Sequence, residues 1–333
     1  MKVTDMYVRT SSQVARSWRQ LLIALLAITA AAVPLASAAQ AAPDNQAAVT
    51  AALVNVQYNE AHPILAYYYA WWETDKLTAG PYQAVLIPFA GARDISDDDS
   101  VLRTHITEAR SAGIDGWIVN RPSDVARLLD VAHGSDFRVT LQVDSDSGPE
   151  AQLQTFYQHA NDPGIVTYAG QPVVFFWRAW AHPQAYWTDL RDRIDPDHNA
   201  LWIADGDQFG FMAGPAWDGI SPYAIAWSGN PAGQLPAWGA KARAAAPGKL
   251  YIPPVSPGCD DSGVRAATCV RDRGDGAYYQ STLNGALAAK PQWAVVVSTW
   301  NEWLEATSIE PATAYGDLYL KLTREFATAF KGA

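Results

Sequence analysis

The chain has 333 residues, a formal net charge of −10 and a sequence pI near 5.0. Its 49% apolar and 17% charged residues are a globular composition that excludes a disordered chain, and the acidic balance argues against duplex nucleic acid, whose phosphates attract basic patches. Aromatics are the unusual component, 14 Trp, 15 Tyr and 9 Phe, and their flat faces with a polar edge suit sugar rings as well as cores.

Residues 1–41 read as an export signal. Lys2, Arg9, Arg16 and Arg19 precede the apolar run from Leu21 to Val33, and Ala36-Ser37-Ala38 and Ala39-Gln40-Ala41 both fit an A-x-A cleavage site. The run is shorter than the roughly 20 residues of a membrane span; a retained anchor is the alternative. Cleavage removes four cations and one anion, so −10 becomes −13. The expected location is secreted or periplasmic, with no membrane association once the signal is gone. Residues 42–62, rich in Ala, Asn and Gln without an apolar period, read as a linker.

Ordered sequence is expected over 63–331, where short β-rich runs alternate with amphipathic stretches. A strand over 64–69 is followed by a helix over 100–112. Strands over 116–120 and 139–143 flank a helix over 123–133. Helices over 150–160 and 184–194 lead to strands over 173–177 and 201–204. A weak strand over 219–223 and another over 250–255, weakened by two prolines, flank a helix over 235–245. A helix over 277–289, a strand over 293–299 and a helix over 315–330 complete the series. Apolar strands alternating with helices imply a parallel sheet covered on its outer face. Eight of them predict an α/β fold, a single (β/α)₈ TIM barrel, for which about 250 residues suffice. An open doubly wound sheet would carry a Gly-rich phosphate loop after its first strand, and the sequence has none.

In such a barrel the active site lies at the C-terminal strand ends. The residues there are candidates for binding a sugar: Tyr68, Trp71 and Trp72 at the first end, Asp144 at the third, Asp205 at the fifth, Tyr223 and Trp227 at the sixth, Asp260 at the seventh. The eighth end is densest, with Asn301, Glu302, Trp303, Glu305 and Glu310. Trp71 and Trp72 equally fit a core. Asp146 and Asp207 read as helix caps or turn formers, and Asp97-Asp98-Asp99 as a solvated cap. Cys259 and Cys269 share one loop-like stretch; in an exported chain they should be bridged, at a stabilisation of roughly 2–3 kcal/mol for so small a loop. Two thiols without a nearby His leave zinc short of ligands, and the six His show no paired-ligand spacing, so no metal and no organic cofactor is expected.

Glu302 and Glu305 stand out. Three residues apart, they can face one cavity if the chain turns helically. Among Trp300 and Trp303 they should repel, raising one pKa, so that one carboxyl acts as acid and the other as base. The same spacing equally fits a surface pair on a helix's first turn.

The stretch STWNEWLEATSIEP, from Ser298 to Pro311, resembles the signature of glycoside hydrolase family 99, which includes endo-α-mannosidases and endo-α-1,2-mannanases. Tyr67 to Trp72, Ala112 to Gly116, and Pro257 to Arg265 with Gly276 to Tyr279 resemble its first-strand, second-strand and seventh-strand segments. The likeness spans Pro63 to about Phe330. It implies a (β/α)₈ barrel, with Glu302 as general base and Glu305 as general acid/base. It also implies a retaining mechanism in which the sugar's own 2-OH attacks C1. Four departures alter expected sugar contacts. Asn120-Arg121-Pro122 stands where a Trp is usual, and Asp144 where a Glu is. Leu304-Glu305-Ala306 replaces His-Glu-Gly, and a His-Trp pair is missing between Lys76 and Gly91.

These readings together point to an exported enzyme cutting inside an α-linked polysaccharide or oligosaccharide, α-mannan first. The rivals are the same barrel on another α-linked glycan, a non-catalytic carbohydrate-binding barrel, and a structural envelope protein. No nucleic-acid partner is expected; oligomeric state is not legible in the sequence.

Overall fold

The computed structural model describes residues 58–73, 86–88, 91 and 94–332. The chain divides into two units, Met1–Asn45 and Gln46–Ala333, and every described residue belongs to the second. The predicted export signal, linker residues 42–57 and most of the stretch from Lys76 to Gly91 lie outside the described residues. No described helix is long and apolar enough to cross a membrane.

The strands are β1 (Ile64–Tyr68), β2 (Gly116–Val119), β3 (Arg138–Asp144), β4 (Thr167–Tyr168), β5 (Gln171–Trp177), β6 (Leu201–Ala204), β7 (Gly219–Ile220), β8 (Leu250–Tyr251), β9 (Pro254–Val255), β10 (Cys259–Asp260), β11 (Val270–Arg271) and β12 (Val295–Val297). The helices are α1 (Asp99–Ser111), α2 (Pro122–Ala132), α3 (Pro149–Tyr157), α4 (Gln184–Ile194), α5 (Pro231–Ala245), α6 (Ala277–Ala288) and α7 (Leu318–Lys331). The main sheet runs β8-β7-β6-β5-β3-β2-β1-β12-β9, and those pairings are all parallel.

Its two ends are one strand. Ile252 and Pro253 join β8 to β9; Ile252 N–H donates to Ile220 O at 3.0 Å and Val296 N–H to Pro253 O at 3.1 Å. The predicted seventh strand thus pairs with both neighbours and closes the barrel. It is split because Pro253 has no N–H to donate. The sixth strand is shorter than predicted, only β7. At Gly219 a Cβ would sit 2.8 Å from Leu250 O, so the two backbones meet where only glycine fits.

The sequence reading missed β4, which pairs antiparallel with β5. The turn between them is Ala169-Gly170, both left-handed at φ 51° and 79°, the pattern of a two-residue type I′ hairpin. The helix predicted from Leu235 starts at Pro231, where Asn230 Oδ1 accepts from Gly233 N–H at 3.2 Å. Pro236 lies inside that helix, one residue past the predicted start. Asp98 caps α1 by accepting from Ser100 N–H, as the acidic run led one to expect.

Strand alternation sorts the core into two layers. Leu65, Tyr67, Ile118, Val173, Phe175, Ile203 and Val296 pack together inside the barrel. Their neighbours Ile64, Ala66, Tyr68, Val174, Phe176, Val295 and Val297 face outward to the helices. That parity decides which rim residues can reach the mouth of the barrel.

Candidate active site

The loop after β12 is fastened before it delivers a carboxylate. Asn301 is fully buried; its Oδ1 accepts from Tyr69 N–H at 2.8 Å and its Nδ2 donates to Tyr69 O at 2.9 Å. The Trp72 indole N–H donates to Asn301 O at 2.8 Å, and Thr299 Oγ1 accepts from Glu302 N–H at 2.8 Å. The eighth strand end is thereby latched to the first. Trp303 turns away from the mouth and donates from Nε1 to Glu310 Oε2 at 3.1 Å. Glu310 Oε1 lies 3.1 Å from His105 Nε2, and His105 Nδ1 is 2.9 Å from the Tyr68 hydroxyl. Tyr68, Trp72, Asn301, Trp303 and Glu310, all read from the sequence as sugar contacts, are therefore buried supports beneath the loop. Tyr68 is on the outward parity of β1; Tyr69 is the tyrosine that reaches the cavity.

That cavity, of about 220 Å³, is lined by Tyr69, Asn120, Gln142, Asp144, Trp177, Tyr223, Glu302 and Glu305. Both acids singled out by spacing face it. Glu302 is only 9% exposed, and burial, then the negative charge of Glu305, push its carboxyl up to about 8. The Glu305 side chain is 35% exposed and forms an ion pair with the Arg265 guanidinium. In the same cavity the hydroxyls of Tyr69 and Tyr223 meet at 2.6 Å. Burial, followed by the nearby Glu302, raises the Tyr69 phenol far above its ordinary value; both phenols stay neutral hydrogen-bonding groups.

Asp144 lines the cavity while its oxygens accept from Asp146 N–H at 2.9 Å and Ser147 Oγ at 2.7 Å. Asp205 is buried under the rim. It accepts from Tyr223 N–H at 2.9 Å and Arg178 N–H at 3.1 Å, and burial raises its carboxyl to about 6. Its place is to hold two rim loops, not to line the cavity. Trp71 sits beside the cavity, donating from Nε1 to Asn120 Oδ1 at 3.2 Å.

A second cavity of about 270 Å³ shares Trp177, Tyr223 and Glu305 with the first and adds Trp227, Arg265 and the bridged Cys259 and Cys269. Trp227 is 51% exposed, an open aromatic face. Asp260 faces a different cavity with Arg271, Arg273 and Tyr315, and its Oδ1 accepts from Ser262 N–H at 3.1 Å. Just after Glu305, Ala306 holds a left-handed φ of 48°, which costs an L-residue roughly 1–2 kcal/mol. Among the described residues no cluster of three or more His, Cys, Asp or Glu is arranged for a metal ion.

The sequence reading passed over Tyr69, Gln142 and Trp177. A signal existed for Gln142, an amide between Leu141 and Val143 on β3; the others needed the strand parity.

The family model described as Glycosyl hydrolase family 99 matches residues 62–321. The human glycoprotein endo-alpha-1,2-mannosidase-like protein is 26% identical over 290 residues, covering 71% of this chain and 62% of that protein. Its mouse counterpart is 24% identical over 291 residues, covering 71% and 63%. The chain thus spans just under two thirds of the length of these curated relatives. Among solved structures, the family 99 endo-alpha-mannosidase of Bacteroides thetaiotaomicron superposes with a TM-score of 0.71 at 20% identity, over 83% of this chain and 99% of that one. The likeness establishes the barrel fold.

Proposed function

The chain belongs to glycosyl hydrolase family 99, and from that premise we propose that it is an exported, endo-acting, retaining glycosidase of an α-mannan-like polysaccharide. The observation that carries this reading is the placement of Glu302 and Glu305 on one open cavity at the C-terminal strand ends. The names of its relatives, endo-alpha-1,2-mannosidase-like, support the choice of sugar.

The pair holds one proton, carried in the free protein by Glu302, whose carboxyl is raised to about 8, while Glu305 is paired with Arg265. When substrate draws Glu305 off the guanidinium, that proton passes to Glu305, and Glu302, left ionised, takes the proton of the sugar 2-OH. The freed oxygen attacks C1, the glycosidic bond breaks, and Glu305 gives its proton to the leaving oxygen. In an α-mannoside the 2-OH and the leaving group lie on opposite faces, so the displacement is in line and the product is a 1,2-anhydro sugar. Glu305 then removes a proton from water, which opens the epoxide at C1 while the 2-oxygen recovers a proton from Glu302. Two inversions retain the anomeric configuration without an enzyme-bound sugar, unlike the usual two-carboxylate scheme. A group with its midpoint near 8 is a strong base once ionised, which suits the abstraction of a hydroxyl proton. The second cavity, which holds Glu305 but not Glu302, takes the leaving sugar against Trp227.

A panel of polysaccharides tests the assignment. The protein should shorten α-mannan to oligosaccharides of mixed length with the α-anomer formed first by NMR. Release of mannose alone, inversion, or binding without cleavage of any panel member would overturn it. Export has its own check: intact mass of the exported chain should place its start near Ala39 or Ala42, and a chain still carrying residues 1–38 would contradict cleavage.

A further inference from the structure

Arg265 lies in the loop between β10 and β11 that the Cys259–Cys269 bridge closes. Its Nε donates to Asp261 Oδ2 at 2.7 Å, and its Nη2 reaches Glu305 Oε1. Asp261 is buried, and its other oxygen accepts from the N–H groups of Thr268 at 2.9 Å and Cys269 at 3.1 Å. A carboxylate fixed by the loop's own backbone thus aims the guanidinium. An exposed ion pair is normally weak because two long side chains must be ordered to make it. Here Arg265, though 46% exposed, is already held at one nitrogen, so little more order is lost in engaging Glu305.

Glu302, Tyr69 and Tyr223 share the first cavity with Glu305, and the Glu305 carbonyl accepts from Asp260 N–H at 2.9 Å. Arg265 supplies the cation. Both Arg265 and Glu305 line the second cavity, so a sugar seated there meets the ion pair itself.

We propose that Arg265 is the positioning residue of Glu305, holding its carboxylate between the two cavities and releasing it when a leaving sugar fills the second one, so that Glu305 takes over the proton of the acid pair and presents it to the glycosidic oxygen. The inference rests on the reading of Glu305 as the group that protonates the leaving oxygen. While Arg265 donates to Oε1, that oxygen is turned to the guanidinium and not to a sugar oxygen. Asp261 keeps the guanidinium when the pair opens, so no cation is left unpaired in the loop. A leaving group that needs no proton has no use for the arrangement.

The test uses the full-length protein with α-mannan and with a 4-nitrophenyl α-1,2-mannobioside, whose phenolate departs unprotonated. R265A should lower kcat on α-mannan about 10–100-fold and on the aryl substrate less than about 3-fold. KM for α-mannan should move less than kcat, and R265K should recover part of the loss by restoring the charge without the fork. The double variant R265A/E305Q should match E305Q within about 2-fold on α-mannan, since both act through one carboxyl. Equal losses on the two substrates, or multiplying losses in the double variant, would overturn the proposal. If R265A does not fold, R265K read in the same way decides. If E305Q itself slows both substrates alike, the reading of Glu305 falls first; if E305Q separates the substrates and R265A does not, only the role of Arg265 falls.

Discussion

Glu302→Gln should cripple turnover of both natural and aryl substrates, whereas Glu305→Gln should cripple only the natural one. General acid–base groups contribute about 10²–10⁴-fold, so each loss is well within reach of a steady-state assay. Attack by the 2-oxygen accompanies departure whatever the leaving group, so the base is needed in both cases. A sugar alkoxide cannot leave without a proton, but a nitrophenolate can. A 2-deoxy substrate should be inert with the unmodified protein, and a 2-fluoro sugar should label neither carboxylate. A covalent adduct on Glu302 would make it an ordinary nucleophile. Unchanged rates in both variants would remove the pair from the active site altogether.

The second large effect is on pH. Burial raises Glu302 from an ordinary 4.5 to about 8. Between those values the folded protein holds a proton that the unfolded chain has given up. Stability from this group is therefore complete below about 4.5 and falls as pH rises to about 8, at a slope on the order of 1 kcal/mol per pH unit. Above that window the slope vanishes. Other carboxylates contribute slopes of their own, so the informative quantity is the difference between wild type and E302Q. Urea unfolding at pH 5, 6.5 and 8 should find E302Q increasingly the more stable of the two, the pattern of an active site that trades stability for reactivity. Parallel stability curves would show that Glu302 is ionised in the folded protein throughout. Activity on an aryl substrate, which needs no acid, should run the opposite way: kcat/KM rises with pH as the pair, titrating as a unit, gives up its proton near 8. On α-mannan, whose leaving sugar needs that proton from Glu305, kcat/KM should fall through the same pH.

The two expectations share one cause. The carboxyl is expensive to ionise because it lies in the mouth of the barrel, where Asn301, locked to both peptide groups of Tyr69, keeps the loop from swinging Glu302 into solvent. Replacing Asn301 would alter the site through that latch and not through any sugar contact.

Sequence alone determined the architecture. Continuous apolar runs such as Val295 to Val297, alternating with amphipathic segments, require a parallel sheet buried on both faces, and eight of them without a Gly-rich phosphate loop after the first favour a closed barrel over an open doubly wound sheet. It also singled out Glu302 and Glu305, three residues apart immediately beyond a barrel strand, though their spacing fitted a surface pair equally until the barrel placed both on one cavity, and it pointed to the bridge between Cys259 and Cys269, ten residues apart. What it left open was direction. Tyr68 and Tyr69 are chemically equivalent and adjacent, yet one supports His105 from the outer layer and the other faces the cavity. Asp260 and Asp261 are likewise adjacent, and it is Asp261 that aims Arg265 at the acid. A one-residue change of parity turns a strand side chain to the opposite face, and only the register of β1 against β2 and β12 settles which parity faces in. The pairing of Arg265 with Glu305 spans forty positions of chain. No local pattern encodes that separation; it exists because closing the barrel brings the seventh and eighth strand ends side by side.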